Sequence, residues 1–83
     1  MADWRIVDTW CVADLAPGVQ VQVRENREGL WQLWITAAGA FTMRFARVRT
    51  LAAAKRAVLE GARSSFPAHA AAIDGLLAQL PEE

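Results

Sequence analysis

The sequence predicts an α+β fold, with a three- or four-stranded antiparallel β-meander followed by two α-helices, the first packed on one sheet face. Three observations predict it. Strand formers such as Val, Trp, Ile and Phe dominate residues 4–48, helix formers dominate residues 51–80, and short loops join the strand segments. A chain of 83 residues has room for one sheet and one or two helices, so we expect a single domain over 1–83.

The N-terminal segment, residues 4–14, has two interpretations. Its Trp, Ile, Val and Thr content favours a strand over 7–13. Alternatively, Asp8 caps a short helix that contains Trp10 and Cys11. We favour the strand, and the sequence leaves the choice open.

Two strands alternate clearly between apolar and polar residues. In residues 19–24, valines alternate with polar side chains, and Pro17-Gly18 before them are preferred at the centre of a type II turn. Residues 30–36 form the next strand. The apolar face of this second strand holds Trp31, Leu33 and Ile35, and its other face holds Gln32, Trp34 and Thr36.

The third strand is predicted from Phe41 to about Ala46. We expect the apolar side chains of Phe41, Met43 and Phe45 to face the core, and Thr42, Arg44 and Ala46 to face the other way. Continued alternation would bury Arg47 and Arg49 on the Phe face, which is costly for unpaired guanidinium groups. The alternation is therefore expected to break near Ala46, by a bulge or by the end of the strand.

Two helices follow, over about 51–64 and 67–80. Thr50 is the expected N-cap of the first helix, and Pro67 separates the two helices. The apolar stripe of the first helix consists of Leu51, Ala54, Val58 and Ala62, with Leu59 beside it. The stripe of the second helix consists of His69, Ile73, Leu76, Leu77 and Leu80.

Composition and motifs argue against catalysis. The single cysteine, Cys11, forms no intramolecular disulfide, and one Cys with one His is too few for a structural zinc site. No nucleophile elbow, phosphate loop or dinucleotide fingerprint is present. We therefore expect no enzyme activity, no cofactor and no metal. The lack of disulfides and of a long apolar run predicts a cytoplasmic protein without a membrane partner.

The polar sheet face is the candidate binding face. It joins hydrogen-bonding side chains to arginines and a tryptophan, which is typical of recognition surfaces, although an ordinary solvated face has the same composition. The candidate residues are Gln20, Gln22, Arg24, Gln32, Trp34, Thr36, Arg44, Arg47 and Arg49.

Part of the chain resembles a known family. The segment 19–63 looks like the three-strands-plus-helix plan of AP2-type DNA-binding domains, including integrase arm-binding domains, and residues 49–57 are similar to their helix opening. The resemblance implies that Arg24, Trp34 and Arg44 lie on a DNA-facing sheet surface. Small phage and bacterial proteins of unknown role show a similar spacing, matched here by Val21, Val23, Trp31, Ile35, Thr50, Ala54 and Lys55.

Two functions follow as hypotheses. The first is a non-catalytic interaction module, a small phage-type accessory or inhibitor protein that binds a protein partner or forms a homodimer. Its formal net charge of zero and its four Trp favour this class. The alternative is a nucleic-acid-binding domain that uses the exposed sheet face. The candidate partner or dimer helix presents Ile73, Leu76, Leu77 and Leu80.

Overall fold

The computed structural model describes residues 4–27, 29–37 and 39–80, and has the predicted α+β architecture with more strands than expected. Five antiparallel strands follow one another in the sheet in chain order, and two helices come after them. The strands are β1 (Trp4–Val7), β2 (Trp10–Ala16), β3 (Val19–Arg27), β4 (Leu30–Ala37) and β5 (Ala40–Arg47). A short 3₁₀ turn (Pro67–His69) lies between α1 (Leu51–Ser65) and α2 (Ala70–Ala78).

The N-terminal segment folds as a β-hairpin, which accounts for the additional strand. Val7 lies opposite Trp10, and the turn between them contains Asp8 with a φ of 56°. Asp tolerates this left-handed region better than most residues because its short side chain hydrogen-bonds locally. The segment is extended, as the strand interpretation predicted, but the turn at Asp8 and Thr9 divides the predicted strand over 7–13 into two strands. The short helix capped by Asp8 is wrong.

The core lies between one face of the sheet and the two helices. Helix α1 packs across β3 and β4, and α2 packs against α1. Thr50 caps α1 as predicted, because its Oγ accepts a hydrogen bond from the Ala53 amide at 3.1 Å. The core side chains include Val21, Val23, Leu33 and Ile35 from the sheet, Ala54, Val58, Leu59 and Ala62 from α1, and Ile73 and Leu76 from α2.

Strand β5 presents its faces the opposite way from the prediction. The Cα partners across β4 and β5 are Thr36 and Phe41, Trp34 and Met43, and Gln32 and Phe45. Paired residues of an antiparallel ladder share a face, so the three β5 side chains point away from the helices. Phe41 is 63% exposed, Met43 37% and Phe45 50%, and the prediction that they face the core is wrong.

The β4–β5 turn explains this orientation. Ala37 is the partner of Ala40, and the tight turn between them contains Gly39 with a φ of 83°. Moving one residue away from the turn along both strands pairs Thr36 with Phe41, and paired residues have their side chains on the same face. Arg47 then alternates onto the solvent side, and β5 reaches it without a shift in register. The predicted end of the strand near Ala46 is met within one residue, since β5 ends at Arg47. The reason given for it is wrong, because Arg47 faces solvent and no guanidinium has to be buried.

Alanine substitutions at Gly75 and Gly39 should change stability in opposite directions. At both positions an added Cβ would meet open space, so the backbone conformation alone decides the effect. Gly75 lies inside α2, so Gly75→Ala should raise the free energy of unfolding by about 0.5–1 kcal/mol. Gly39 has a positive φ, so Gly39→Ala should lower that free energy by about 1 kcal/mol. Urea denaturation measures both, and changes of the same sign would contradict these assignments.

Candidate functional site

The sheet face turned away from α1 and α2, called the open face here, gathers most of the candidate binding residues. Antiparallel partners bring their side chains into rows across the strands. The central row consists of Arg5, Val12, Gln22, Trp34 and Met43. The row on one side of it consists of Asp14, Gln20, Thr36 and Phe41, and the row on the other side consists of Arg24, Gln32 and Phe45.

The arginines of the candidate binding face do not share one surface. Arg24 lies on the open face, and Arg47 alternates onto the same side at the end of β5. Arg44 lies on the helix side, where its Nη2 is 2.8 Å from the position that a Cβ on Gly61 of α1 would occupy. Arg49 is exposed in the bend after β5. The placement of Arg24, Trp34 and Arg44 on one surface is therefore wrong for Arg44.

Three aromatic rings form a connected run on the open face. The Trp10 and Trp34 rings meet edge to face, with their centroids 5.8 Å apart and an interplanar angle of 87°. Trp34 and Phe41 stack, with centroids 4.8 Å apart and an angle of 27°. Both geometries are favoured by the ring quadrupoles, so these contacts hold Trp34 in place between its neighbours.

Arg24 is fixed at the β2 end of this aromatic run. Its guanidinium carbon lies 4.4 Å from the centroid of the Trp10 ring, and its Nε donates a hydrogen bond to Gln32 Oε1 at 3.0 Å. The cation–π contact and the hydrogen bond orient the guanidinium along the sheet. Part of the hydrogen-bonding and cation–π capacity of the Arg24 guanidinium is therefore used within the protein.

A polar network occupies the far side of the open face. Arg5 Nη1 donates to Asp14 Oδ2 at 2.7 Å, and Gln20 Nε2 donates to Asp14 Oδ1 at 2.8 Å. Gln22 Nε2 in turn donates to Gln20 Oε1 at 3.2 Å. The hydrogen bonds from Arg5 and Gln20 hold the pKa of the Asp14 carboxyl below its ordinary value, since both favour the charged form.

The remaining part of the open face is an apolar patch at its β5 edge. We call Trp34, Phe41, Met43 and Phe45 the β5 patch. Its β5 side chains are among the exposed large hydrophobic residues of the described chain. Sequence reasoning placed Phe41, Met43 and Phe45 in the core, although the short loop after Thr36 was the signal that paired Thr36 with Phe41.

The apolar stripe of the second helix is largely enclosed by the protein itself. Ile73 and Leu76 are both 0% exposed and belong to the core. Leu77 and Leu80 are partly buried and pack against the same core. Ile73 and Leu76 are therefore inaccessible to a partner, and the case for a dimer through this helix loses its two central contacts.

Reactive groups do not converge in the described part of the chain. Cys11 is buried on the helix side of β2, and burial raises the pKa of its thiol, which keeps it protonated at neutral pH. Among residues 4–27, 29–37 and 39–80, no group of three or more His, Cys, Asp or Glu side chains is placed to hold a metal ion.

Comparison with known proteins gives no relative for this chain. No protein-family model matches it, and no curated protein and no solved structure shows significant similarity to it. Within the described residues, neither helix has the length and apolar content needed to cross a bilayer.

The Asp14 network makes a testable prediction about acid stability. A lowered pKa in the folded state means that the network stabilises the fold at neutral pH, and that this contribution is lost as the pH falls below the ordinary carboxyl value of 3.8. In Arg5→Gln, the pKa of Asp14 should rise towards that value. Carboxyl NMR titration measures the shift, with Asp74 as the internal control because its partner is Arg63. An unchanged Asp14 pKa would show that Arg5 does not hold it.

Proposed function

We propose that this protein is a non-catalytic interaction module that binds a protein partner through the β5 patch. The observation that carries the proposal is the exposure of Phe41, Met43 and Phe45 side by side on one face of an edge strand. Contiguous apolar surface on a small soluble domain is typical of interaction sites. Aromatic residues and Met are also enriched where protein interfaces are fully buried.

The geometry of the patch supports recognition of an apolar protein surface. Trp34 is stacked under Phe41 and braced by Trp10, so the base of the patch is ordered before a partner arrives. Ordered aromatic side chains lose little rotamer freedom on binding, which favours affinity. Gln22 is the Cα partner of Trp34 and Gln32 is the Cα partner of Phe45, so these amide side chains supply the hydrophilic border common to such sites.

Charge supports a protein partner over nucleic acid. Nucleic-acid affinity depends largely on Lys and Arg contacts to phosphates. On the open face, Arg5 is paired with Asp14 and Arg24 is engaged by Trp10 and Gln32, while Arg47 is exposed at the end of β5. The formal net charge of the chain is zero. The aromatic run resembles a surface on which nucleic-acid bases stack. Binding of single-stranded nucleic acid is therefore the result that would contradict this proposal.

The test compares the proteins retained by immobilised wild type, Phe45→Ser and Ile6→Ser. Ile6 is the matched control because it is 69% exposed and lies on the helix side of β1, outside the patch. A partner identified on the wild type should be kept by Ile6→Ser and bound about tenfold or more weakly by Phe45→Ser, since truncating a central aromatic contact typically costs more than 1 kcal/mol.

The same three proteins also test the alternative function, which is nucleic-acid binding. Titration with a single-stranded and a duplex oligonucleotide at low salt, followed by Trp fluorescence, should give no saturable response. Saturable, salt-sensitive binding of either oligonucleotide, together with equal protein retention by wild type and Phe45→Ser, would overturn the proposal in favour of nucleic-acid recognition.

A further inference from the structure

Strand β5 is a long and regular edge strand, and its charged residues are Arg44 and Arg47. The sheet order places it at one end, next to β4 only. It spans eight residues, contains no Pro or Lys, and pairs with β4 without a bulge. An edge strand directs alternate backbone amide and carbonyl groups outward, and natural edges are usually shortened, bulged or charged with Lys. The opposite edge strand, β1, has four residues. The long regular edge of this sheet is therefore on β5.

The sequence of β5 is nearly symmetric about Met43. Reading outward from Met43, Phe41 and Phe45 occupy symmetric positions, as do Ala40 and Ala46, whereas Thr42 on one side corresponds to Arg44 on the other. Two identical strands that pair antiparallel about a two-fold axis place each residue opposite its symmetric counterpart. A strand with this symmetry is therefore complementary to a second copy of itself.

We propose that two copies of this chain pair antiparallel through β5, with the two-fold axis at Met43, and form one continuous ten-stranded sheet from two five-stranded ones. The inference rests on the proposed function, because it joins the β5 patches of both copies into one surface. Phe41 of each copy lies opposite Phe45 of the second copy on the open face. Aromatic pairs directly opposite each other are among the more stabilising cross-strand contacts.

Charge selects the register centred on Met43. In this register Arg44 lies opposite Thr42 of the second copy, so no like charges face each other. An axis at Arg44 would place two guanidinium groups opposite each other, which is destabilising. An axis at Thr42 would leave Phe45 opposite Gly39 and would lose the aromatic pair. The zero formal net charge of the chain adds no overall repulsion between copies.

The helices leave room for this pairing. Helix α1 packs on β3 and β4, and the Arg44 guanidinium of β5 lies close to Gly61 of α1. A two-fold axis perpendicular to the sheet keeps both helical layers on one side and both open faces on the other. The joined β5 patches then present a larger apolar surface to the proposed partner.

Charge changes at Thr42 test the pairing without altering the β5 patch. Thr42 is exposed on the helix side, opposite to the patch. Thr42→Glu places a carboxylate opposite Arg44 of the second copy, twice per dimer, and should tighten the dimer about fivefold. Thr42→Arg places like charges opposite each other and should weaken it by about the same factor. Adding Arg44→Glu to Thr42→Arg should restore the dimer. Sedimentation equilibrium measures each dissociation constant, and circular dichroism confirms folding.

The outcomes separate this inference from the proposed function. A dimer whose affinity follows the order Thr42→Glu, wild type, Thr42→Arg supports pairing through β5. A wild type that stays monomeric at about 100 µM, well above a typical micromolar dissociation constant, overturns it, as does a dimer insensitive to both changes. Partner capture that still depends on Phe45 in a monomeric protein would leave the proposed function standing without the dimer. A Thr42-sensitive dimer without such capture would retain the dimer and overturn binding of a separate protein.

Discussion

The pairing of Val23 with Leu33 determines which side chains of the sheet meet the helices. A regular ladder continued from the tight β3–β4 turn would instead place Arg24 opposite Leu33 and direct the valines of β3 to solvent. The register shift between Glu25 and Arg27 adds one residue to β3 and brings the valines back to the core side. Because side chains alternate with a period of two, this one extra residue decides the identity of both faces.

The same constraint acts on β5 with the opposite consequence for its apolar residues. The tight turn at Gly39 keeps β4 and β5 in regular register, so Phe41 shares the face of Thr36. The helices already cover the other side of the sheet with Val58 and Leu59 buried at 0% exposure. The aromatic residues of β5 therefore lie outside the core, on the strand whose outer edge is also unpaired within the sheet. Exposed apolar side chains and an unpaired backbone edge therefore occur on the same strand.

Local patterns in the sequence predicted the elements well and the faces of the last strand poorly. The valine alternation of β3, the Thr50 cap and the break at Pro67 all carry strong local signals, and the structure has each of them. The β1 strand was missed because its four residues are too few for a clear period. Hydrophobicity predicts the wrong face for β5, because the register that pairs Thr36 with Phe41 determines which side chains meet the core. Amphipathic alternation shows that a strand has two faces, but only its neighbour shows which face meets the core.

The most direct test of this account is the set of nuclear Overhauser contacts made by the ring protons of Phe45. With β5 turned outward, these protons contact Gln32, the Cα partner of Phe45 on β4, and give no contact to the methyl groups of Val58 on α1. Contacts between the Phe45 ring and Val58 would place the β5 side chains in the core. That result would remove the apolar patch and, with it, both the proposed interaction surface and the pairing through β5.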